Sequence, residues 1–410
     1  MHLPKAAENA IRLLNEQGYE AYLVGGCVRD TQLGIPPHDW DICTSATPEE
    51  MQKVFAAFRT VETGLKHGTL TVLMEGEPLE ITTFRLDGEY LDNRHPKEVT
   101  FTRSLENDLS RRDFTVNAMA WHPEKGLVDL FGGREDCKKG VIRCVGDACT
   151  RFEEDALRIL RALRFAARFR FRVEDETKKA IFEKKHLLRH ISAERIAAEM
   201  NGLLPAPGAV DILAEFHEAV FAAVPAMAME VTAFRQALAV LDFIHRQPAL
   251  CWCALLSPFA PEKAKDVLQQ LKTPLRLQED VFSLLFFRHM EITESTLQLA
   301  LMHIGDRLII PLLSLQYALT AAEKKADEAA LKERLHRLTA AAQQLIDEKA
   351  CYTLSALAVK GGDLAALGIR GPAIGKTLHQ LLETVCRGEA ENQRDPLLAL
   401  AKSMVLKDNG

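Results

Sequence analysis

Hydrophobic and polar positions alternate with two different periods along this 410-residue chain. Residues from about 4 to 17 have the three- to four-residue spacing of an amphipathic helix, which Gly18 ends. The apolar run Ala21 to Val24 is typical of a buried strand, and the pair Gly25-Gly26 turns the chain after it. A second helix is then predicted to begin near Cys27. The opening therefore predicts a helix, a strand, a glycine turn and another helix.

Strand patterns dominate the core up to about residue 140, and helical patterns follow. Thr47-Pro-Glu-Glu50 has the N-cap, early proline and early acids of a helix start. Gly68 to Met74 and Pro78 to Phe84 have strand patterns separated by a turn at Glu75-Gly76. Beyond Val141 the sequence is rich in helix-forming residues. The predicted fold class is α+β, with a mixed-sheet head followed by an all-α remainder.

Length and composition narrow the class of protein. A chain of 410 residues with 47% hydrophobic and 26% charged residues is typical of two to four globular domains. No stretch approaches the length of an apolar membrane span, and Met1 to Lys5 is not the start of a signal peptide. The nine cysteines have no metal-ligand spacing and indicate reduced, buried thiols. We therefore expect a cytoplasmic protein without a membrane partner.

The net charge of −6 argues against a nucleic-acid partner, but the charge is unevenly distributed. Seven arginines lie between residues 151 and 172. The acids near the start of this segment number only three, at positions 153–155. A local basic stripe on an acidic protein suits an enzyme that binds RNA and also releases it.

The first candidate for chemistry is the glycine turn together with Asp39-Trp-Asp41. Backbone N–H groups at a helix start after Gly25 and Gly26 can bind phosphate oxygens. Two aspartates spaced i, i+2 on one strand lie on the same face. Hard anionic ligands beside bound phosphates suit Mg²⁺ carried by a nucleoside triphosphate. No Gly-Lys-Ser/Thr follows the glycines, so the turn is not a Walker A loop.

A third carboxylate, Glu80, lies on the strand predicted at residues 78–84. Alternation places Glu80 and Thr82 on one face and Leu79 and Ile81 on the other. If this strand pairs near the Asp39/Asp41 strand, Glu80 completes a carboxylate cluster that polarises an attacking hydroxyl or holds a metal. A solvent-facing acid at a sheet edge is an equally good interpretation.

Arg111-Arg112-Asp113 is predicted to lie ahead of an apolar helix, where cations are unfavourable unless an anion meets them. Asp113 would cap or orient the arginines, and Asn117 lies one turn further along the same face. The alternative is a solvated pair of arginines.

The segment Glu154 to Arg164 has an unusual repeat. On one helix, Asp155, Arg158, Arg161 and Arg164 would recur every three residues as a stripe. A buried carboxylate and guanidinium match the amino group and ring acceptor of cytosine or adenine, whereas uracil and guanine present the reverse polarity. Such mismatches cost several powers of ten in selectivity. The hypothesis is that the protein itself selects CTP and ATP; the alternative is a surface salt bridge of about 0.5 kcal/mol.

These segments, in this order, resemble the motifs of class II tRNA nucleotidyltransferases of the polymerase-β superfamily, the CCA-adding enzymes and bacterial poly(A) polymerases. The resemblance covers roughly residues 20–172 and includes the glycine-rich piece from Leu127 to Gly146. It implies a polymerase-β-like nucleotidyltransferase head at residues 1–140 and a helical neck with a nucleobase-recognition motif at 141–205. A helical body at 206–305 and a tRNA-binding helical tail at 306–410 would follow.

The resemblance also implies roles for individual residues. Catalysis would involve Asp39, Asp41 and Glu80, with the two aspartates as ligands of a Mg²⁺ cofactor. Base recognition would fall to Asp155 and Arg158, with Arg161 and Arg164 towards the phosphates and Arg112 on the triphosphate. The complete nucleotide-binding set is Gly25, Gly26, Arg29, Arg112, Asp113, Asn117, Asp155, Arg158, Arg161 and Arg164.

The implied function is template-independent addition of C, C and A from CTP and ATP to the 3′ end of tRNA, with release of pyrophosphate. Expected partners are CTP, ATP and the acceptor end and elbow of tRNA; no protein partner is implied. The polar loop from Phe84 to Pro96 favours complete CCA addition, since CC-only members lack or shorten it. Three alternatives remain: a bacterial poly(A) polymerase, a CC- or A-adding partial enzyme, and an inactive RNA-binding protein.

Overall fold

The chain is described here from a computed structural model, which covers residues 3–87, 99–244, 246–323 and 327–408. It divides into two compact units, Met1–Ala228 and Met229–Gly410. All candidate site residues lie in the first unit. The finer division at residues 140, 205 and 305 stays a prediction. Most of the loop from Phe84 to Pro96, which bears on complete CCA addition, lies outside the described residues.

The strands belong to the first unit. They are β1 (Ala21–Val24), β2 (Asp41–Thr44), β3 (Arg59–Val61), β4 (Thr69–Met74), β5 (Glu77–Thr83), β6 (Arg85–Asp87), β7 (Val99–Phe101), β8 (Met119–His122), β9 (Gly126–Asp129), β10 (Val141–Ile142) and β11 (Arg172–Val173).

The helices of the first unit alternate with these strands and then replace them. They are α1 (Lys5–Glu16), α2 (Gly26–Gln32), α3 (Pro48–Val54), α4 (Leu105–Ser110), α5 (Gly133–Lys139), α6 (Ala148–Glu154), α7 (Leu157–Phe169), α8 (Asp175–Lys184), α9 (Ala193–Leu203), α10 (Ala209–Glu215) and α11 (His217–Ala223). Short 3₁₀ helices occupy Leu65–His67, Thr115–Asn117, Lys185–His190 and Pro225–Met227.

The described part of the second unit is helical throughout. Its helices are α12 (Val231–Asp242), α13 (Pro248–Leu256), α14 (Pro261–Gln270), α15 (Leu275–Phe286), α16 (Leu297–Ile304), α17 (Asp306–Ala322), α18 (Glu328–Asp347), α19 (Gly361–Ala366), α20 (Pro372–Cys386) and α21 (Arg394–Asp408). One core of this unit buries Val359, Leu364, Leu381 and Leu397.

The main sheet has seven strands in the order β3-β4-β5-β2-β1-β8-β9. The pair β2–β5 is parallel and the other neighbours are antiparallel, so the mixed sheet predicted for the head is confirmed. All four residues of β1 are buried, which explains its continuous apolar run. In this strand order, β2, which begins at Asp41, lies inside the sheet between β1 and β5.

Local sequence signals explain the elements that flank this sheet. Thr47 and Glu50 form a complete capping box at the start of α3, as their spacing predicts. Helix α1 buries Ala7, Ala10 and Leu14 and ends before Gly18, whose φ of 84° favours glycine.

A small parallel pair, β10 with β11, lies where the sequence predicted only helices. Each strand has two residues, which is too short to give an alternating pattern. The pair joins the start of the neck region to the chain that leaves α7. Among the described helices, none is by itself long and apolar enough to cross a bilayer. Helices α16 and α17 meet that test of length and composition only together, across a 115° bend.

Candidate active site

The glycine turn after β1 lies against an arginine from another segment, Arg112. Gly25 has a φ of 74° and precedes α2. A Cβ at this position would lie 3.3 Å from Nη1 of Arg112, in a conformation that side-chain-bearing residues rarely adopt. Gly25 thus allows both the turn and the close approach of the Arg112 guanidinium.

The acidic residues lie at the start of β2 and on its parallel neighbour. Strand β2 begins at Asp41, so the prediction that Asp39 is also part of the strand is wrong; Asp39 lies in the exposed segment just before it. Asp41 is paired in register with Glu80 on β5. The pairing on which the Glu80 hypothesis depended is therefore present, and both side chains are exposed.

The electrostatics of Asp41 reflect this crowding of acids. Desolvation by the surrounding protein raises the pKa of Asp41, the charges of Glu80 and Asp39 raise it further, and Arg112 opposes them. A cation beside these carboxylates would relieve their repulsion. No group of three or more His, Cys, Asp or Glu side chains within the described ranges is arranged around one metal position. The predicted ligands are the two carboxylates of Asp39 and Asp41. Two protein ligands suit Mg²⁺, because this ion usually keeps several water and phosphate ligands.

The apolar helix predicted after Arg111 and Arg112 is only a short 3₁₀ helix at Thr115–Asn117, and the two arginines follow α4 at its C-terminal end. That end of a helix favours cations. Nη2 of Arg111 and Nη2 of Arg112 each lie 2.9 Å from a different oxygen of Asp108, which is only 1% exposed. Asp108 was not among the predicted site residues, although it lies three and four residues before the two arginines, a spacing at which helical side chains meet.

The pair formed by Asp108 and Arg112 is firmly ionised. Burial alone would raise the pKa of Asp108, but Arg112 and Arg111 hold it below its ordinary value. Nε of Arg112 is buried and has no hydrogen-bond partner among the described residues. Asp108 therefore fixes one edge of the Arg112 guanidinium while Nη1 approaches Gly25.

Four predicted nucleotide-binding residues form a chain of hydrogen bonds that is buried except at Arg161. Nη1 of Arg29 donates to Oδ1 of Asn117 over 2.6 Å, and Nδ2 of Asn117 donates to Oδ1 of Asp113 over 3.1 Å. Nη2 of Arg161 lies 2.6 Å from Oδ2 of Asp113. Arg29 is 4% exposed and also pairs with Asp30. Apart from Arg161, these side chains lie inside the protein, where they support the neighbouring Arg112 segment.

The neck departs from the predicted single helix across residues 151–164. Helix α6 ends at Glu154, Asp155 has extended backbone angles (φ −144°, ψ 100°), and α7 begins at Leu157. The reason is local, since Oδ1 of Asp155 accepts the backbone N–H of Leu157 over 3.1 Å. An aspartate that binds a backbone N–H at a helix start favours a new helix over continuation of the old one.

Asp155 and Arg158, the pair expected to recognise the base, are each held by other residues. Asp155 pairs with Arg195 on α9, with Nη2 to Oδ2 at 2.7 Å and Nη1 to Oδ1 at 3.3 Å. Nη1 of Arg158 donates to Glu154 over 2.6 Å. Arg195 was missed because it lies 40 residues from Asp155 in sequence, beyond any helical spacing.

Arg158 connects the neck to the Arg112 segment. Its Nη2 donates to the backbone carbonyl of Arg111 over 3.1 Å, and Arg158 is only 8% exposed. Arg112, the next residue, is close enough to Asp41 to lower the pKa of that carboxyl. The acidic residues and the neck arginine are therefore linked through the Arg111-Arg112 segment.

Arg161 and Arg164 are neutralised by carboxylates from other segments. Asp113 pairs with Arg161, and Nε of Arg164 donates to Glu199 on α9 over 2.6 Å. A Cβ at Gly202 would lie 2.6 Å from Cδ of Arg164, so the glycine makes room for this side chain. The repulsion expected along the arginine stripe is thus relieved within the protein.

Family models match the chain in three successive places. The "Poly A polymerase head domain" matches residues 21–143, which include the main sheet. The model described as "Probable RNA and SrmB- binding site of polymerase A" matches residues 170–229. A model for tRNA nucleotidyltransferase domain 2 matches residues 245–401. The N-terminal region is therefore a nucleotidyltransferase head, of the kind that typically works with a divalent metal.

A CCA-adding enzyme from Lacticaseibacillus paracasei is 38% identical to the chain over 407 residues, 98% of the chain and 96% of that enzyme. The chain belongs to the CCA-adding enzymes. It is thus an enzyme, a CCA-adding tRNA nucleotidyltransferase, and the alternatives of a poly(A) polymerase and an inactive RNA-binding protein lose their support.

Solved structures agree with this membership. The crystal structure of the Bacillus stearothermophilus CCA-adding enzyme in complex with CTP has a TM-score of 0.82 and 32% identity, and the alignment covers 100% of both chains. A tRNA nucleotidyltransferase complexed with a primer tRNA and an incoming ATP analog has a TM-score of 0.62 and 25% identity, covering 80% of this CCA-adding enzyme and 98% of that chain.

Proposed function

We propose that this enzyme adds C, C and A in turn, from CTP and ATP, to the 3′ end of tRNA without a nucleic-acid template. The observation that supports this most directly is the continuous path from Asp41 through Arg112 to Arg158. In the proposal, this path connects acidic residues that would hold a metal-bound triphosphate to the guanidinium that would help to choose the base. Relatives solved with CTP, or with primer tRNA and an ATP analog, support the same ligands here.

Asp39 and Asp41 are the residues that would hold Mg²⁺. Their carboxylates are hard oxygen ligands and both are exposed. The pKa of Asp41, raised by desolvation and by Glu80 and Asp39, indicates a site where a divalent cation would be stabilised by charge. When bound, Mg²⁺ would supply activation of the attacking hydroxyl and stabilisation of the leaving oxygens.

The residues around these aspartates have separate roles in the proposal. Glu80, exposed and in register with Asp41, accepts a hydrogen bond from the 3′-hydroxyl of the tRNA. Arg112 binds the triphosphate, since one edge of its guanidinium is fixed by Asp108 and its Nε is buried without a partner in the described structure. Asp113 and Asn117 hold the segment that carries Arg112 through the buried chain to Arg29.

Base selection falls to Asp155 and Arg158. Arg195 fixes the carboxylate of Asp155, and Glu154 with the carbonyl of Arg111 fixes the guanidinium of Arg158. The carboxylate accepts the amino group of cytosine or adenine, and the guanidinium donates to the adjacent ring acceptor. UTP and GTP would leave both groups mismatched, which costs affinity in a partly buried site.

In the proposed reaction the 3′-oxygen of the tRNA forms a bond to the α-phosphorus, and the bond from that phosphorus to the β-phosphate oxygen breaks. Pyrophosphate leaves with the electron pair, and the hydroxyl proton passes to a base or to water. Positioning and charge neutralisation suffice, so no covalent intermediate with the protein is needed. The cytoplasm is the proposed compartment, which the nine free cysteines support.

The test is addition of single nucleotides to tRNA that lacks its 3′ CCA. We expect two C residues with CTP alone, one further A when ATP is added, nothing with UTP, and no product with a chelator. Arrest after two C residues would indicate a partial enzyme. Open-ended A addition to any RNA would contradict the proposal, as would the absence of pyrophosphate with every nucleotide.

A further inference from the structure

Phe165 on α7 lies among three guanidinium groups. The ring centroid is 4.3 Å from Cζ of Arg164, 5.2 Å from Cζ of Arg29 and 5.4 Å from Cζ of Arg161. These distances are within the range of cation–π attraction, and Phe165 is 6% exposed. Burial of apolar area alone does not explain why a phenylalanine in the core lies next to three cations.

Each of the three arginines uses its N–H groups on a carboxylate and leaves a face for the ring. Arg29 pairs with Asp30, while Arg161 and Arg164 pair with carboxylates on other segments. A guanidinium donates hydrogen bonds only in its plane, and its weakly hydrated faces stack well on aromatic rings. The negative face of Phe165 therefore stabilises these charges, above all that of Arg29, whose side chain is only 5% exposed.

Phe165 also contacts aromatic rings on both sides. Phe169 is stacked with it at 6.2 Å and 8° between ring planes, and Phe114 meets it edge-on at 6.0 Å. Arg29 lies 4.7 Å from the Phe169 ring as well. Phe114 directly follows Asp113, so the ring touches the head segment that carries Arg112.

The arginines beside Phe165 are the two ends of the buried hydrogen-bonded chain. Arg29 donates to Asn117 at one end, and Arg161 donates to Asp113 at the other. Moving either guanidinium would move this chain, and with it the segment from Arg112 to Asn117. Arg158 lies two turns before Phe165 on the same helix.

We propose that Phe165 is a positioning residue that keeps the triphosphate-binding segment, residues 112–117, in register with the base-selecting pair Asp155 and Arg158. It touches no substrate and acts through Arg29 and Arg161. This inference rests on the proposed function, and it predicts a dependence of nucleotide selectivity on the negative face of one buried phenyl ring.

The first experiment compares Phe165→Leu with Phe216→Leu. Phe216 is a matched control because it is also buried in the first unit, is stacked on Phe182, and has a cation, Lys178, over its ring that is not a proposed nucleotide-binding residue. We expect a similar fall in melting temperature for both variants. The ratio of kcat/KM for CTP to that for UTP should fall about 10-fold in Phe165→Leu only, because the ring that aligns the three guanidinium groups is lost.

The second experiment replaces Phe165 with 3,4,5-trifluorophenylalanine in the full-length enzyme, and Phe216 likewise as a control. Fluorination weakens the negative face of the ring and nearly keeps its shape. We expect reduced CTP/UTP selectivity at position 165, no change at 216, and restoration with unsubstituted phenylalanine. This variant keeps the inference testable if Phe165→Leu fails to fold.

The outcomes separate this inference from the proposed function. A wild-type enzyme that adds neither C nor A to tRNA lacking CCA would overturn the proposed function. A selective wild-type enzyme whose selectivity is unchanged by fluorination at position 165 would overturn only the role of Phe165. An equal loss of selectivity in Phe165→Leu and Phe216→Leu would also overturn it, since general loosening of the neck would then suffice.

Discussion

Arg158 donates a hydrogen bond from Nη2 to the backbone carbonyl of Arg111 over 3.1 Å. Arg158 belongs to α7, whereas Arg111 directly follows α4 and precedes the residue that approaches Gly25. A single backbone position therefore sets both the guanidinium proposed to select the base and the guanidinium proposed to bind the triphosphate. Under the proposed function, this contact couples selection of the base to alignment of the phosphates.

Asp41→Asn should greatly reduce activity yet make the fold more stable at neutral pH. The pKa of Asp41 is raised in the folded enzyme, so the folded state holds its proton more tightly than the unfolded chain. Ionisation of Asp41 therefore costs stability as pH rises from the unfolded pKa, about 3.9, through the folded pKa. We expect a higher melting temperature for the variant at pH 7, no difference at pH 3, and a loss of activity of roughly 10³-fold.

Glu77→Gln, at an exposed position on the same strand β5 as Glu80, is the control. Mg²⁺ should raise the melting temperature of the wild type and of this control, because a ligand that binds only the folded state stabilises it. Asp41→Asn should not respond. An equal response of all three proteins to Mg²⁺ would contradict the assignment of Asp41 as a ligand.

Arg195→Met should weaken base selection without removing its chemistry. The variant releases the carboxylate of Asp155, which Arg195 holds by two contacts, and KM for CTP should rise about 10-fold, in line with the loss of a charge-assisted pair. A double-mutant cycle with Asp155→Ala measures the coupling. Additive effects in steady-state kinetics would show that Arg195 does not act through Asp155.

Asp108→Asn should destabilise the head strongly. The variant leaves Arg111 and Arg112 without their shared carboxylate, and loss of one partner of a buried ion pair costs about 3 kcal/mol. Because the pKa of Asp108 is lowered in the folded state, its contribution is present above the unfolded pKa and is lost as pH falls through the folded pKa. Urea unfolding at pH 7 checks the size, with exposed Glu106→Gln on the same helix as the control.

Gly133→Ala should be much more damaging than Gly132→Ala. A Cβ at Gly133 would overlap the backbone carbonyl of Thr115, and we expect a cost of about 3 kcal/mol. Gly132 has a φ of 78° with open space around it, so alanine there should cost only about 1 kcal/mol of backbone strain. Equal unfolding free energies for the two variants would contradict the close contact between α5 and the Thr115–Asn117 turn.

The sequence was sufficient for the parts of the fold that local patterns determine. The capping box of Thr47 and Glu50 and the strands on both sides of Glu75-Gly76 need only neighbouring residues, and all are present as predicted. The contact of Asp41 with Glu80 was predicted only conditionally, because pairing between strands 39 residues apart depends on the whole sheet.

The pattern of the neck predicted the stripe of charges but not their partners. The three-residue spacing of these charges predicted one continuous helix. In the structure, the side chain of Asp155 accepts the N–H of Leu157, and a second helix begins there. The partners of Asp155, Arg161 and Arg164 are contributed by segments 35 to 48 residues away, so no local periodicity indicates them. Long-range ion pairs of this kind require the tertiary fold.

The most direct test of the central claim measures kcat/KM for CTP and UTP on tRNA lacking its 3′ CCA, with wild type, Asp155→Ala, Arg158→Ala and Glu153→Ala. Glu153 is an exposed acid beside the base-selecting segment and serves as the control. We expect the CTP preference to fall about 100-fold in the first two variants, since mismatched polar groups no longer reject UTP, and to persist in Glu153→Ala. An undiminished preference for CTP in Asp155→Ala and Arg158→Ala would contradict the account.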